Sequence, residues 1–306
     1  PVNDGAGTAV NELVANADGT AAGTPQPAWS VSGDLPLVSS VTLGTWTGAS
    51  GGNWSDSAQW LSGAVPNGAG HWACFTNQPL TALSVTNDLP QLFVGRMFLA
   101  NASGEAFTGN ALTFTNASLQ ATLSATNGSH AFDLPAVLGD SGLSVDVRTP
   151  GAVSFGNVLS GSGALTVNPV ASGGGTVTLA GANTYTGPTT LGCGTLDVSS
   201  LADGGAPSAT GASSANPANL VIGPGTLRYT GPSATINRGF TINAGSRKAS
   251  ILSLDHDLTL TGPITNVAGA LIKSGPGTLT YASPAAALIG RQQSSGLTTQ
   301  APYPAN

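Results

Sequence analysis

The one place where titratable side chains cluster is Asp255-His256-Asp257. Two carboxylates beside an imidazole are raw material for acid–base catalysis or for holding a cation. A strand through this tripeptide would put both carboxylates on one face and His256 on the other. The same arrangement also suits a solvated face or corner, and that is the reading we adopt. The other acids, among them Asp56, Asp88, Asp133, Asp140, Asp146 and Asp197, stand singly. Three histidines (His71, His130, His256) in a serine-rich chain define no Ser-His-Asp order. The adjacent Asp pairs, Gly-His-Gly and Arg-x-Lys combinations suited to polysaccharide cleavage are missing. The Gly-x-Gly pairs precede no helix, so they read as turns rather than phosphate cradles. No catalytic, cofactor-binding or metal-ligating residue is assigned, and no cofactor is expected.

The tryptophans offer a second chemistry. All five, Trp29, Trp46, Trp54, Trp60 and Trp72, lie in the first 72 residues. Indole faces can stack on sugars, so Trp46, Trp54, Trp60 and Trp72 are candidate glycan contacts. They are equally suited to plugging the open end of a stacked sheet, and the cap is the favoured reading. Charge gives the third candidate set. Residues 1–220 carry 12 acids and only two bases, Arg96 and Arg148; residues 221–306 carry two acids and six bases. An acidic and a basic end favour head-to-tail contact, which makes Arg228, Arg238, Arg247 and Lys248 candidate assembly contacts. A net charge of −6 with two lysines disfavours nucleic acid.

These side chains need elements to position them. Charged residues make up 7% of the chain, against about 25% in ordinary globular proteins. Mean hydropathy is positive, which argues against disorder. No stretch approaches the roughly 18 apolar residues of a membrane helix, and no membrane insertion is expected. Straight-chain helix formers are scarce, with one methionine and two glutamates. Alternating runs recur instead, such as ALTFTNASLQATLSAT at 111–126, GTVTLAG at 175–181, GTLRYTG at 225–231 and GTLTY at 277–281. They have the two-residue period of half-buried strands, bounded by Gly, Asn and Pro. A Gly-x-Gly-[ALTV]-[LV] unit repeats at uneven intervals, so that Leu165, Val177, Leu196, Leu227 and Leu279 read as one slot. Uneven spacing disfavours a propeller and favours a solenoid, whose coils tolerate loops of different length.

Residues 161–198, GSGALTVNPVASGGGTVTLAGANTYTGPTTLGCGTLDV, resemble the autotransporter-associated β-strand repeat. The matching positions run from Gly175, Thr176, Val177 and Leu179 through Gly181, Asn183, Tyr185, Gly187 and Thr189 to Leu191, Gly194, Thr195 and Leu196. A degenerate copy begins at Lys273 and departs after Tyr281. The segment 44–75, GTWTGASGGNWSDSAQWLSGAVPNGAGHWACF, resembles the opening of large secreted proteins that carry such repeats. The resemblance implies an all-β, right-handed parallel β-helix with an N-terminal Trp-rich cap, exported to or beyond the outer membrane of a Gram-negative-type bacterium.

The expected organisation is an arm or cap segment over 1–43, the solenoid over 44–281, and a tail over 282–306. A start at Pro1 fits removal of an export signal. The strand pattern of a translocator barrel is absent from the last hundred residues, which fits a released passenger or a secreted subunit. Cys74 and Cys193, 119 residues apart, read as two free thiols, with a disulfide as the alternative. The leading expectation is a non-enzymatic structural protein whose partner is itself, polymerising into a fibre, sheath or surface layer. A monomeric adhesin that takes surface glycans is the alternative, and a carbohydrate-active enzyme is the third reading.

Overall fold

A computed structural model describes residues 2–3, 9–10, 41–76, 82–169, 174–282 and 297–299. The chain divides into two compact units, Pro1–Ser39 and Ser40–Asn306. In the first, Val2–Asn3 pairs antiparallel with Ala9–Val10. Trp29, Arg291 and most of the expected arm and tail lie outside the described residues.

The second unit is a parallel β-solenoid. Alternating apolar and hydroxylated residues form short strands, and Gly, Asn and Pro turn the chain between them. One sheet holds ten strands, from Leu43–Thr45 through Trp72–Phe75 and Arg96–Leu99 to Ile264–Ala268. We call it the first face. A second face also holds ten strands, from Gly51–Asn53 to Ala270–Ser274. The third face is built in two four-stranded parts, Leu92–Val94 to Leu159–Gly161 and Ala234–Ile236 to Leu297–Thr299. Every strand pairing in these sheets is parallel. The expected tail therefore adds a strand, because Leu297–Thr299 pairs with Leu279–Tyr281.

Between the two parts of the third face the chain makes a long excursion. Residues 199–219 hold three residues of 3-10 helix, Pro217–Asn219, and otherwise turns. One bridge there joins Asn183 to Ser208.

The core is a set of columns running up the inside. On the second face, Phe107, Phe132 and Phe155 form a ladder with ring centroids 4.7 and 5.1 Å apart, and Phe75 of the first face meets Phe107 edge-on at 5.1 Å. The column continues as Leu179, Val198, Tyr229 and Leu254. The spacing follows from parallel strands about 4.8 Å apart. Each coil covers the apolar face of the one beneath it, which it could not do alone.

The repeat hallmark proves to be fold chemistry. Asn183 is fully buried; its Oδ1 accepts from the Leu159 amide and its Nδ2 donates to the Ala209 carbonyl, both at 2.8 Å. Corner backbone groups that strands leave unpaired thus find partners one coil away. Tyr185, also fully buried, shares a 2.6 Å hydroxyl contact with Thr189. Gly194 adopts φ +65, and a Cβ there would meet the Gly175 carbonyl oxygen at 2.6 Å. Only glycine fits that corner.

Two sequence expectations change. The run 111–126 is not one strand but two, Leu112–Phe114 on the third face and Ala121–Ala125 on the first. Val177, Leu196 and Leu227 do share a column on the second face, whereas Leu165 lies on the first face and Leu279 on the third. Glycine-led corners open strands on all three faces, so the motif does not mark one face.

Candidate functional site

The tryptophan-rich opening builds a cap. Trp46, Trp54 and Trp60 are 0, 1 and 2% exposed and pack on Phe75, which in turn meets the first ring of the ladder, Phe107. Trp46 and Trp60 meet edge to face at 5.0 Å, as do Trp54 and Trp60. Their indole N–H groups are satisfied internally: Trp54 donates to Pro66 O, and Trp60 to Trp54 O. A buried indole needs such a partner. These three rings offer no face to a sugar.

Trp72 differs. It begins the second strand of the first face, points outward and is 38% exposed. Parallel register sets Arg96 beside it one coil on, with the guanidinium carbon 4.6 Å from the indole centroid. That is cation–π distance. Phe98, 38% exposed, stands two residues further along the same strand as Arg96. Arg96 and Phe98 were not singled out from the sequence. Their offset of 24 residues from Trp72 and Cys74 is one coil, a signal available only once the coil length is known.

The Asp255-His256-Asp257 cluster lies in a bend, after the strand Ala249–Leu254 and before Leu258–Leu260. Alternation therefore does not apply, and the two carboxylates do not converge. Asp255 Oδ2 accepts from Arg228 Nη2 at 3.0 Å. Asp257 Oδ1 accepts from the Thr278 amide at 2.7 Å, and that backbone bond holds its carboxyl below the ordinary value of 3.8. Among the described residues, no group of three or more His, Cys, Asp or Glu could hold a metal ion.

The four candidate assembly cations have separate fates. Arg228 is flanked by Asp255 and, at 3.8 Å, by Asp197. Burial pushes the Asp197 carboxyl up; Arg228 opposes this and Asp255 adds to it. Arg238 is 1% exposed and cannot present charge to a neighbouring molecule. It donates to Ala202 O, Ser213 Oγ and Gly211 O, pinning the excursion to the solenoid. Burial draws its pKa down, with Tyr185 and Asp203 holding it up. Arg247 and Lys248 are exposed, side by side at a turn. Lys273 is also buried, its Nζ donating to Gly275 O at 2.6 Å. Among the described residues the axial charge contrast legible in the sequence is therefore weaker on the surface.

The core holds one acid–base pair that the sequence gives no reason to join. Glu105 and His130, 2% and 1% exposed, occupy the inward column between Leu83 and Val153. The carboxylate contacts His130 Nδ1, yet neither of its oxygens receives a well-formed hydrogen bond. His130 Nε2 bonds the Asn127 carbonyl at 2.6 Å. Sealed in the core, the pair has no route to a substrate. Cys74 and Cys193 do not form the alternative disulfide; Cys193 Sγ donates to Asn168 O at 3.3 Å, and burial pushes the Cys74 thiol up.

Comparison with known proteins gives one relative. Over 127 residues, 40% of this chain, the sequence is 43% identical to the adhesin BmaC autotransporter of Brucella suis biovar 1. The chain spans about 4% of that relative's length. No family model matches, and no solved structure matches. Over two-fifths of its length, then, this chain is similar to part of an autotransporter adhesin, and it has the parallel β-solenoid of passenger-type repeat proteins.

Proposed function

We propose that this chain is a non-enzymatic, adhesin-like passenger segment displayed at or beyond the surface of a Gram-negative-type bacterium. The carrying observation is the 43% identity to an autotransporter adhesin over 127 residues of a chain whose described residues fold chiefly as a parallel solenoid. The described surface supports the reading, because its carboxylates are single, corner-bonded or paired with Arg228 rather than converged. In such a protein the coils form a rigid scaffold, and recognition lies in outward side chains and loops. Microspheres coated with the purified chain should adhere to cultured epithelial cells above albumin-coated ones. Equal adhesion would overturn the proposal.

Self-association is the second reading. One observation favours it: the last strands of the two long faces, Ile264–Ala268 and Ala270–Ser274, lie at sheet edges and expose Val267 and Ile272, 65% and 43%. Exposed apolar edges template pairing with another strand. Sedimentation velocity distinguishes the readings: growth of large species with concentration supports assembly, and a single monomer boundary removes it.

A further inference from the structure

The outward positions of the first face change character along the solenoid. From the fourth strand to the seventh, one outward column reads Thr122, Ser144, Thr166 and Thr190, and it continues as Val221, Thr241 and Thr265. The first three strands put Leu43, Trp72 and Arg96 in that column, and the neighbouring one holds Cys74 and Phe98. Outward positions of a half-exposed sheet are ordinarily polar. Here Leu43 is 56% exposed, and Trp72 and Phe98 are each 38% exposed. Among the described residues the Arg96 guanidinium makes no hydrogen bond or ion pair, and it rests against Trp72. The patch thus joins apolar ring surface to a cation held in place with its donors free.

Size and charge restrict the occupant. Three strands about 4.8 Å apart and two outward positions about 7 Å apart give a footprint of roughly 10 by 7 Å. That fits one or two sugar rings and falls far short of the roughly 800 Å² per partner of a stable protein interface. The planar fork of a guanidinium matches a carboxylate bidentately. Asp146 is the acid on this face nearest along the Phe98 column, two strands on from Phe98. At about 10 Å it lies near one Debye length away, so its repulsion is largely screened.

We propose that this patch binds a carboxylate-bearing sugar of an acidic glycan, its ring lying on Phe98 and against the exposed edge of Trp72 and its carboxylate on Arg96, which Trp72 holds in place. For its biological role the proposal rests on the adhesin-like reading. Calorimetric titration of the full chain with sialyllactose and trigalacturonate, against lactose and methyl-esterified trigalacturonate, tests it. Binding of an acidic probe over its neutral counterpart is expected, weakening as salt rises. Arg96→Gln and Trp72→Ala should each weaken it by about tenfold or more, the loss of one charge-assisted or stacking contact. Both side chains point outward, so the unfolding midpoint should stay in place. Arg96→Lys, which keeps charge but loses the fork, should fall between. No binding of either acidic probe, or undiminished binding by Arg96→Gln, would overturn the proposal. Undiminished adhesion by Arg96→Gln-coated microspheres would remove this patch and leave the adhesin-like reading standing. Acidic-sugar binding by a chain whose microspheres do not adhere would do the reverse.

Discussion

The buried Glu105–His130 contact interrupts a column otherwise filled by Leu83, Val153, Val177 and Leu196. Breaking such a pair from one side leaves an uncompensated polar group, whereas replacing both partners with apolar residues is often neutral or better. Glu105→Ala or His130→Ala should therefore cost about 3–5 kcal/mol in urea-unfolding measurements. The double variant Glu105→Leu/His130→Val, which restores the column's own residue types, should recover most of that loss or exceed wild type. A double variant no better than the singles would mean the pair is needed for the corner geometry itself. Asn183 makes a different case. Asn183→Ala strands the Leu159 amide and the Ala209 carbonyl, at about 1–3 kcal/mol for each buried group left unpaired. Asn183→Asp should be nearly as costly, since it keeps the acceptor for Leu159 but places a carboxylate oxygen against the Ala209 carbonyl.

At the scale of an element, the corners and the phenylalanine ladder carry the load. Phe132 stacks on Phe107 at 4.7 Å and on Phe155 at 5.1 Å, so its removal opens a gap between two coils at once. Phe132→Ala should cost about 3–5 kcal/mol by chemical denaturation, and Phe132→Leu markedly less. Two corners should respond to acid. Asp88 accepts from the Ser55 hydroxyl and amide, with the hydroxyl bond the larger influence, and Asp257 accepts from the Thr278 amide. Both carboxyls sit below their ordinary value of 3.8. A depressed folded pKa means the contribution is present above 3.8 and is lost as pH falls through the lower folded value. Amide exchange at Ser55 and Thr278, corrected for intrinsic rates, should therefore accelerate selectively below about pH 4. Corners that stay protected there would show these bonds to be unimportant. Asp197, pushed up by burial, has the opposite sign: its ionisation opposes folding as pH rises through its raised value.

For the molecule as a whole, a solenoid is stable only if its ends are managed. The N-terminal end of the described coils is closed by Trp46, Trp54 and Trp60 over Phe75. Trp60 touches all three other rings. Trp60→Ala should cost about 3–5 kcal/mol and bare the apolar column beneath it. Increased binding of a hydrophobic dye and loss of the monomer peak on size exclusion would report the opened end. An unchanged elution profile and dye signal would show that the cap is not needed. The same burial affects how adhesion variants are read: a loss in Trp54→Ala or Trp60→Ala reports a damaged cap, whereas a loss in Trp72→Ala reports a surface.

The sequence alone determined that the chain is all-β and coiled, and the resemblance of its repeat implied parallel strands. Those properties come from local rules: a two-residue alternation, Gly and Asn at corners, and the 175–196 hallmark whose Asn183, Tyr185 and Gly194 each serve a turn. Alternation assigns in and out within one strand only. It does not say which face a strand joins, which is why Leu165 and Leu279 read as equivalent to Leu227 and are not. Only the tertiary structure decided what stacks on what, because coil lengths vary from 18 residues between Leu279 and Leu297 to 33 between Gly51 and Ser84. Register across those unequal coils set Arg96 on Trp72 and Glu105 against His130, and folded the excursion over Arg238. Arg238 shows the physical reason most plainly. A charged residue reads as surface in any one-dimensional pattern, and only three-dimensional enclosure by carbonyls and a hydroxyl 25 to 36 residues away makes its burial affordable.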